Sequence, residues 1–154
     1  MKAKQFILTL ALAFAGAATA LAQSPQMGTW KLNEAKSRIP AGSIKNTTVT
    51  YEAAGDGVKV TTEGFAPDGA PMHTEWTGKF DGKPYPLTGD PTADTRTYTM
   101  VNDHTLSLAN GKAGKSQTTG RIVVSPDGKT RTLTTHSTTA AGKKISATAM
   151  YDKQ

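Results

Sequence analysis

The 154-residue chain contains no cysteine. That excludes a disulfide scaffold, a thiolate-ligated zinc or iron–sulfur centre, a thiol nucleophile and a lipid-modified lipobox, since each requires sulfur. Charged residues make up 19% and aromatics 6% of the chain. Such a balance is too weakly charged for obvious disorder, and no apolar run is long enough for a polytopic membrane protein. At this length one domain is expected.

The longest apolar stretch lies at the start. Met1-Lys2-Ala3-Lys4 leads into an apolar run from Phe6 to about Ala20 and then Ala20-Leu21-Ala22 before Gln23. This is the pattern of a basic n-region, an h-region and an A-x-A cleavage site, with an apolar core shorter than the roughly 20 residues of a membrane span. Residues 1–22 therefore read as a cleaved export signal and 23–154 as one periplasmic or secreted domain, with no integral membrane association after cleavage. Loss of Lys2 and Lys4 takes the basic count from 18 to 16 against 12 acids and the net charge from +6 to +4. The remaining basic residues, such as Lys59, Lys79, Lys112 and Lys129, are scattered singly. Nucleic acid is not an expected partner, because backbone phosphates call for a clustered basic stripe.

Turn dipeptides recur at short intervals: Asp56-Gly57, Asp68-Gly69, Asp81-Gly82, Asn110-Gly111 and Asp127-Gly128, with a looser Ala140-Ala141-Gly142. These tolerate the positive φ of tight hairpins. Between them lie β-branched segments; 23 of the 132 residues after Ala22 are threonine, which favours pleated sheet over long helices. About ten strands are expected: 28–32, 45–52, 58–64, 72–77, 84–88, 94–101, 105–109, 117–124, 129–138 and 143–151. Alternation gives each strand two faces, as where Val49 and Tyr51 oppose Thr50 and Glu52. Sequential hairpins predict an all-β antiparallel up-and-down barrel of 8–10 strands, which leaves no open edge; a two-sheet sandwich is the alternative. Residues 33–44 lack the strand pattern, and Glu34-Ala35-Lys36 suits a helical turn in a lid or crossover.

Gly28-Thr29-Trp30-Lys31-Leu32 resembles the Gly-x-Trp opening strand of the lipocalin and fatty-acid-binding-protein (calycin) superfamily, and Ala147 to Lys153 is similar to the closing strand of the fatty-acid-binding proteins. The chain also resembles small exported bacterial proteins of unassigned function that share these short motifs. The resemblance implies a lipocalin-like barrel in which Trp30 closes one end. It also implies departures. Ala149 stands where fatty-acid-binding proteins carry a carboxylate-pairing arginine, leaving Tyr151 alone of that pair. The two-helix lid and a second lipocalin motif are both missing.

Ala109 to Ser116 superficially matches a phosphate-binding loop, but a strand rather than a helix is expected to follow it, so a hairpin turn is the better reading. Asn46-Thr47-Thr48 matches a glycosylation acceptor at the start of a strand. His73 and Glu75, two residues apart, share a strand face and form a candidate polar site. His104 reads as a turn residue. His136 shares the face of Thr130, Thr132 and Thr134, opposite Leu133. No metal spacing, catalytic constellation or cofactor motif stands out. With few large apolar residues and many threonines, a barrel of this size is expected to keep a partly polar lumen, with Tyr51, Trp76, Tyr98 and Tyr151 as candidate lining. The favoured reading is non-catalytic binding of a small lipophilic or amphipathic ligand. The alternatives are an interaction or structural module, and a haem carrier or enzyme whose histidines point into the cavity.

Overall fold

The computed structural model describes residues 23–139 and 141–154; the export-signal reading falls on residues 1–22, outside the described residues. Ten antiparallel strands run β1 Gly28–Leu32, β2 Lys45–Ala54, β3 Gly57–Phe65, β4 Pro71–Gly78, β5 Asp81–Thr88, β6 Thr95–Asn102, β7 Thr105–Lys112, β8 Lys115–Val124, β9 Thr130–Thr138 and β10 Lys144–Lys153. Each pairs with its sequence neighbour, and β1 pairs with β10 through Trp30↔Lys153 and Leu32↔Tyr151, so the sheet closes into a barrel. The sandwich alternative is thereby set aside. Among the described residues the helical content is one 3₁₀ turn, Glu34–Lys36, N-capped by the Asn33 side chain. No helix there is long and apolar enough to cross a membrane.

Alternation decides what fills the barrel. In β4, Met72, Thr74, Trp76 and Gly78 are buried while His73, Glu75 and Thr77 are exposed. The same alternation sends Val58, Val60 and Thr62 of β3 inward. Prolines shape the weakest seam. Pro84 and Pro86 of β5 have no N–H to give, and β4 pairs with β5 only through Glu75↔Thr88 and Trp76↔Leu87.

Three turn assignments differ from the sequence reading; one is Asp81-Gly82, which opens β5 instead of turning, the reversal from β4 coming at Lys79-Phe80. At the first hairpin, Ala54↔Gly57 is the last pair, so the turn residues are Gly55 and Asp56, and it is Gly55 that takes the positive φ of +60°. Asn110-Gly111 is not a turn at all. It lies inside β7 at an irregularity in the β7–β8 register, and the reversal comes at Ala113-Gly114. The Asn110 side chain is drawn inward by a buried arginine, which explains the displacement. The Ala109–Ser116 segment is thus a β-hairpin, without a helix to bind phosphate.

Up-and-down order puts every second connection at the same end. The β2–β3, β4–β5 and β6–β7 turns lie at the base, packed by Trp30, Val58, Trp76, Phe80, Leu106 and Val124. The long β1–β2, β3–β4, β5–β6 and β9–β10 connections lie at the other end, around the mouth of a cavity. The β1–β2 crossover is tethered before it reaches the mouth: Arg38 N–H donates to Thr148 O at 2.7 Å and Thr148 N–H to Arg38 O at 2.9 Å. Beyond it Ile39 and the 42–44 segment line the opening.

Candidate functional site in the lumen

The barrel encloses a cavity of about 480 Å³. Its floor carries Arg131, 2% exposed, whose guanidinium carbon lies 5.1 Å from the Trp30 ring, 5.1 Å from Tyr51 and 4.7 Å from Tyr151. Phase explains the placement: Arg131, Leu133 and Thr135 share the inward face of β9. Its Nε and Nη1 have no hydrogen-bond partner. A second inward arginine, Arg96, donates from Nε to Asn110 Oδ1 at 2.8 Å, while its Nη1 lies 3.5 Å from the Tyr98 hydroxyl. That hydroxyl is also 3.5 Å from the Tyr51 hydroxyl. Both 3.5 Å contacts are long for a hydrogen bond.

Two cations are therefore buried with no anion beside them. Among the described residues the ion pairs are all at the surface, and no carboxylate lies within 4 Å of either guanidinium. The buried polar residues are Gln26, Thr62, Thr74, Arg96, Thr105, Asn110 and Arg131, with no acid among them. The acid on the cavity wall is Asp90, its carboxylate accepting from the Thr92 backbone and hydroxyl. Uncompensated buried charge is expensive, and three aromatic faces soften that cost without replacing a hydrogen-bonded anion. Burial also keeps the phenols neutral: that of Tyr151 is pushed up to about 12 despite the opposing field of Arg131, and that of Tyr98 further still.

The structure places Tyr51, Tyr98 and Tyr151 on the cavity wall. Trp76 is not on it. The Trp76 ring packs into the base, stacked on Phe80 at 6.4 Å and edge-on to Tyr98 at 4.9 Å, with its indole N–H donating to Arg96 O at 2.9 Å. A bulky ring near the base end of β4 has no open space to face. Trp30 is fully buried, its N–H donating to Gln26 O at 2.9 Å, with Arg131 reaching its ring from the lumen and Lys153 from the surface.

His73 and Glu75 do share a face, but it is the outer one. His73 Nδ1 contacts Glu63 and its Nε2 lies 3.7 Å from Glu75, which holds Lys59 at 2.9 Å. The carboxylates hold the imidazole pKa above its usual 6.5, the Glu63 contact foremost. The other histidines also lie off the cavity wall. His104 sits at the β6–β7 turn against Val124 O, and His136 meets Ser146 on the outer face. None of the three histidines points into the lumen, where the haem-carrier or enzyme alternative expected one.

Sequence reading missed the two arginines. Their phase was visible, since Arg96 stands two residues before Tyr98 and Arg131 two before Leu133, but an inward arginine runs against the ordinary preference for solvent.

No protein-family model and no curated protein matches the chain. Two solved structures are similar to it in outline. A redesigned β-barrel, mFAP1, bound to DFHBI is 19% identical over 89% of this chain and 98% of that one, with a TM-score of 0.42. EF1p2_mFAP2b bound to DFHBI is 14% identical over 92% of this chain and 100% of that one, with a TM-score of 0.45.

Proposed function

We propose that the protein is a non-catalytic carrier or receptor of a small amphipathic molecule whose anionic group sits on Arg131 at the floor of the lumen. The carrying observation is a buried guanidinium with orphaned nitrogens and no carboxylate, at the end of an open cavity. A ligand oxyanion would supply the missing charge and hydrogen bonds, and charge-assisted bonds of that kind are the strong ones. Tyr51 and Tyr98 supply hydroxyls beside it. Departure from the fatty-acid-binding pattern at Ala149 is offset across the ladder, because Arg131 is the register partner of Tyr151. The N-terminal segment supports the same activity in the periplasm or outside the cell, with residues 1–22 removed.

Native mass spectrometry of protein purified without detergent from an exporting host tests this. A non-covalent mass increment, lost on denaturation and absent in Arg131→Met, is the expected result, on a polypeptide beginning at Gln23. A clean apo mass that persists after incubation with mixed organic anions would overturn it.

A further inference from the structure

In the upper lumen, hydroxyl side chains share the wall with apolar ones such as Ile39, Met72 and Ile145. Thr62 and Thr74, each 2% exposed, are register partners on β3 and β4 and both face the cavity. Thr118 and Ser137 are register partners on β8 and β9 and face it too, with Thr135 beside them. In a ten-strand ring β3 lies opposite β8 and β4 opposite β9. The two hydroxyl pairs therefore look at each other across the lumen.

Some threonines elsewhere in the barrel find side-chain partners, Thr29 with Thr50, Thr47 with Glu63 O and Thr92 with Asp90, while others, such as Thr105 of β7, do not. The hydroxyls of Thr62, Thr74, Thr118 and Thr135 have none among the described residues. Asn46 and Ser43, also on the cavity wall, each carry a buried side-chain oxygen without a partner. Polar groups buried without hydrogen bonds are unfavourable, and a hydrocarbon lying between two such strips would leave them so. Sites built to bond a ligand hydroxyl discriminate strongly against the analogue that lacks it.

Resting on the anion-binding reading above, we infer that the ligand is a compact, oxygen-bearing organic acid. Its carboxylate or equivalent oxyanion meets Arg131, and hydroxyl or carbonyl groups along its body bridge Thr62 and Thr74 on one wall to Thr118 and Ser137 on the other. A simple fatty acid is the wrong class.

Titration of the purified protein with four probes, followed by calorimetry or ligand fluorescence, tests this: 2-naphthoate, 3,5-dihydroxy-2-naphthoate, dodecanoate and the neutral 1,3-dihydroxynaphthalene. The dihydroxy acid is expected to bind at least tenfold tighter than 2-naphthoate or dodecanoate. Thr62→Val with Thr74→Val, nearly isosteric, should erase that preference, and Thr62→Ser with Thr74→Ser should restore it. Dodecanoate or 2-naphthoate binding as tightly as the dihydroxy acid, with the valine variant unchanged, would overturn this inference and leave the anion site standing. Equal binding of the neutral diol and the dihydroxy acid would overturn the anion site instead. No binding of any probe, with wild type and Arg131→Met indistinguishable, would sink both.

Discussion

Arg131 stands directly across the β9–β10 ladder from Tyr151, its guanidinium 4.7 Å from the ring and without a carboxylate partner. Two explanations compete for it: a structural pillar held by three aromatic faces, or a binding group held ready for an anion. Three cation–π contacts of about 0.5–2 kcal/mol each together overlap the several kcal/mol that a desolvated cation without an anion costs, so the variant has to decide. Arg131→Met keeps the volume and removes the charge, so we expect apo stability unchanged or raised by about 1–3 kcal/mol, with binding of the lumen ligand lost. Denaturant unfolding beside ligand titration checks this. A variant that unfolds readily yet still binds would make Arg131 a pillar.

The barrel was legible because its signals are local. Turn dipeptides, β-branched segments and two-residue alternation each act within a few residues, so strand count and inward phase could be read directly, as for Val49 and Tyr51. Turn positions were less legible where a side chain overrode the local preference: Asn110 is held inside β7 by Arg96, so its Asn-Gly dipeptide does not turn. The site was half legible. Three tyrosines follow from phase, but Trp76 shares their inward phase and differs only in height along the barrel, which depends on strand stagger. Arg96 and Arg131 share the two-residue phase of their strands, but sequence reading did not single them out, since an inward arginine runs against the ordinary preference for solvent.

The base packs around a glycine. A Cβ on Gly78 would fall 2.5 Å from Tyr85 Cγ and 2.7 Å from Trp76 Cζ2. Gly78→Ala forces the Tyr85–Trp76 edge contact apart, and overpacking of this kind costs about 1–3 kcal/mol. The expected readouts are a lower unfolding midpoint and altered tryptophan fluorescence. Tyr85→Ala should be less damaging in the Gly78→Ala background than alone, and strict additivity of the two would refute the proposed collision.

The outer cluster around His73 is predicted to be visible by NMR. Contact with Glu63, then Glu75, raises the imidazole pKa, so its midpoint should lie above 6.5 and fall towards that value in Glu63→Gln. The protonated form is the one favoured by folding. The contribution is fully present below the unfolded-state pKa and is lost as pH rises through the folded-state value. Glu63→Gln should therefore differ from wild type in stability more at pH 5.5 than at pH 8.5. The groups are solvent-exposed, so the effect is small; an unshifted His73 midpoint in the wild type would contradict the contact.

The buried phenols give the steepest pH dependence, at the alkaline end. Burial raises the Tyr151 pKa to about 12, against an ordinary value of 10.0. Between those values the folded chain keeps a proton that the unfolded chain has released, so stability falls with rising pH. For Tyr151 the loss amounts to about 2–3 kcal/mol by pH 12. Tyr98 adds to it, its phenol being raised further by burial and by Tyr51. Tyr151→Phe separates the terms. The variant forfeits the hydroxyl donated to Asn46 O at 3.0 Å, a cost of about 1 kcal/mol near neutrality, but it has no phenol to ionise. Its stability curve should start below the wild type at pH 7 and cross above it at about pH 10.5–11. Denaturant unfolding at several pH values, with phenolate absorbance recorded in parallel, locates the crossing. Parallel curves with no crossing would mean that Tyr151 is solvated in the folded state and that the floor of the lumen is wet around Arg131.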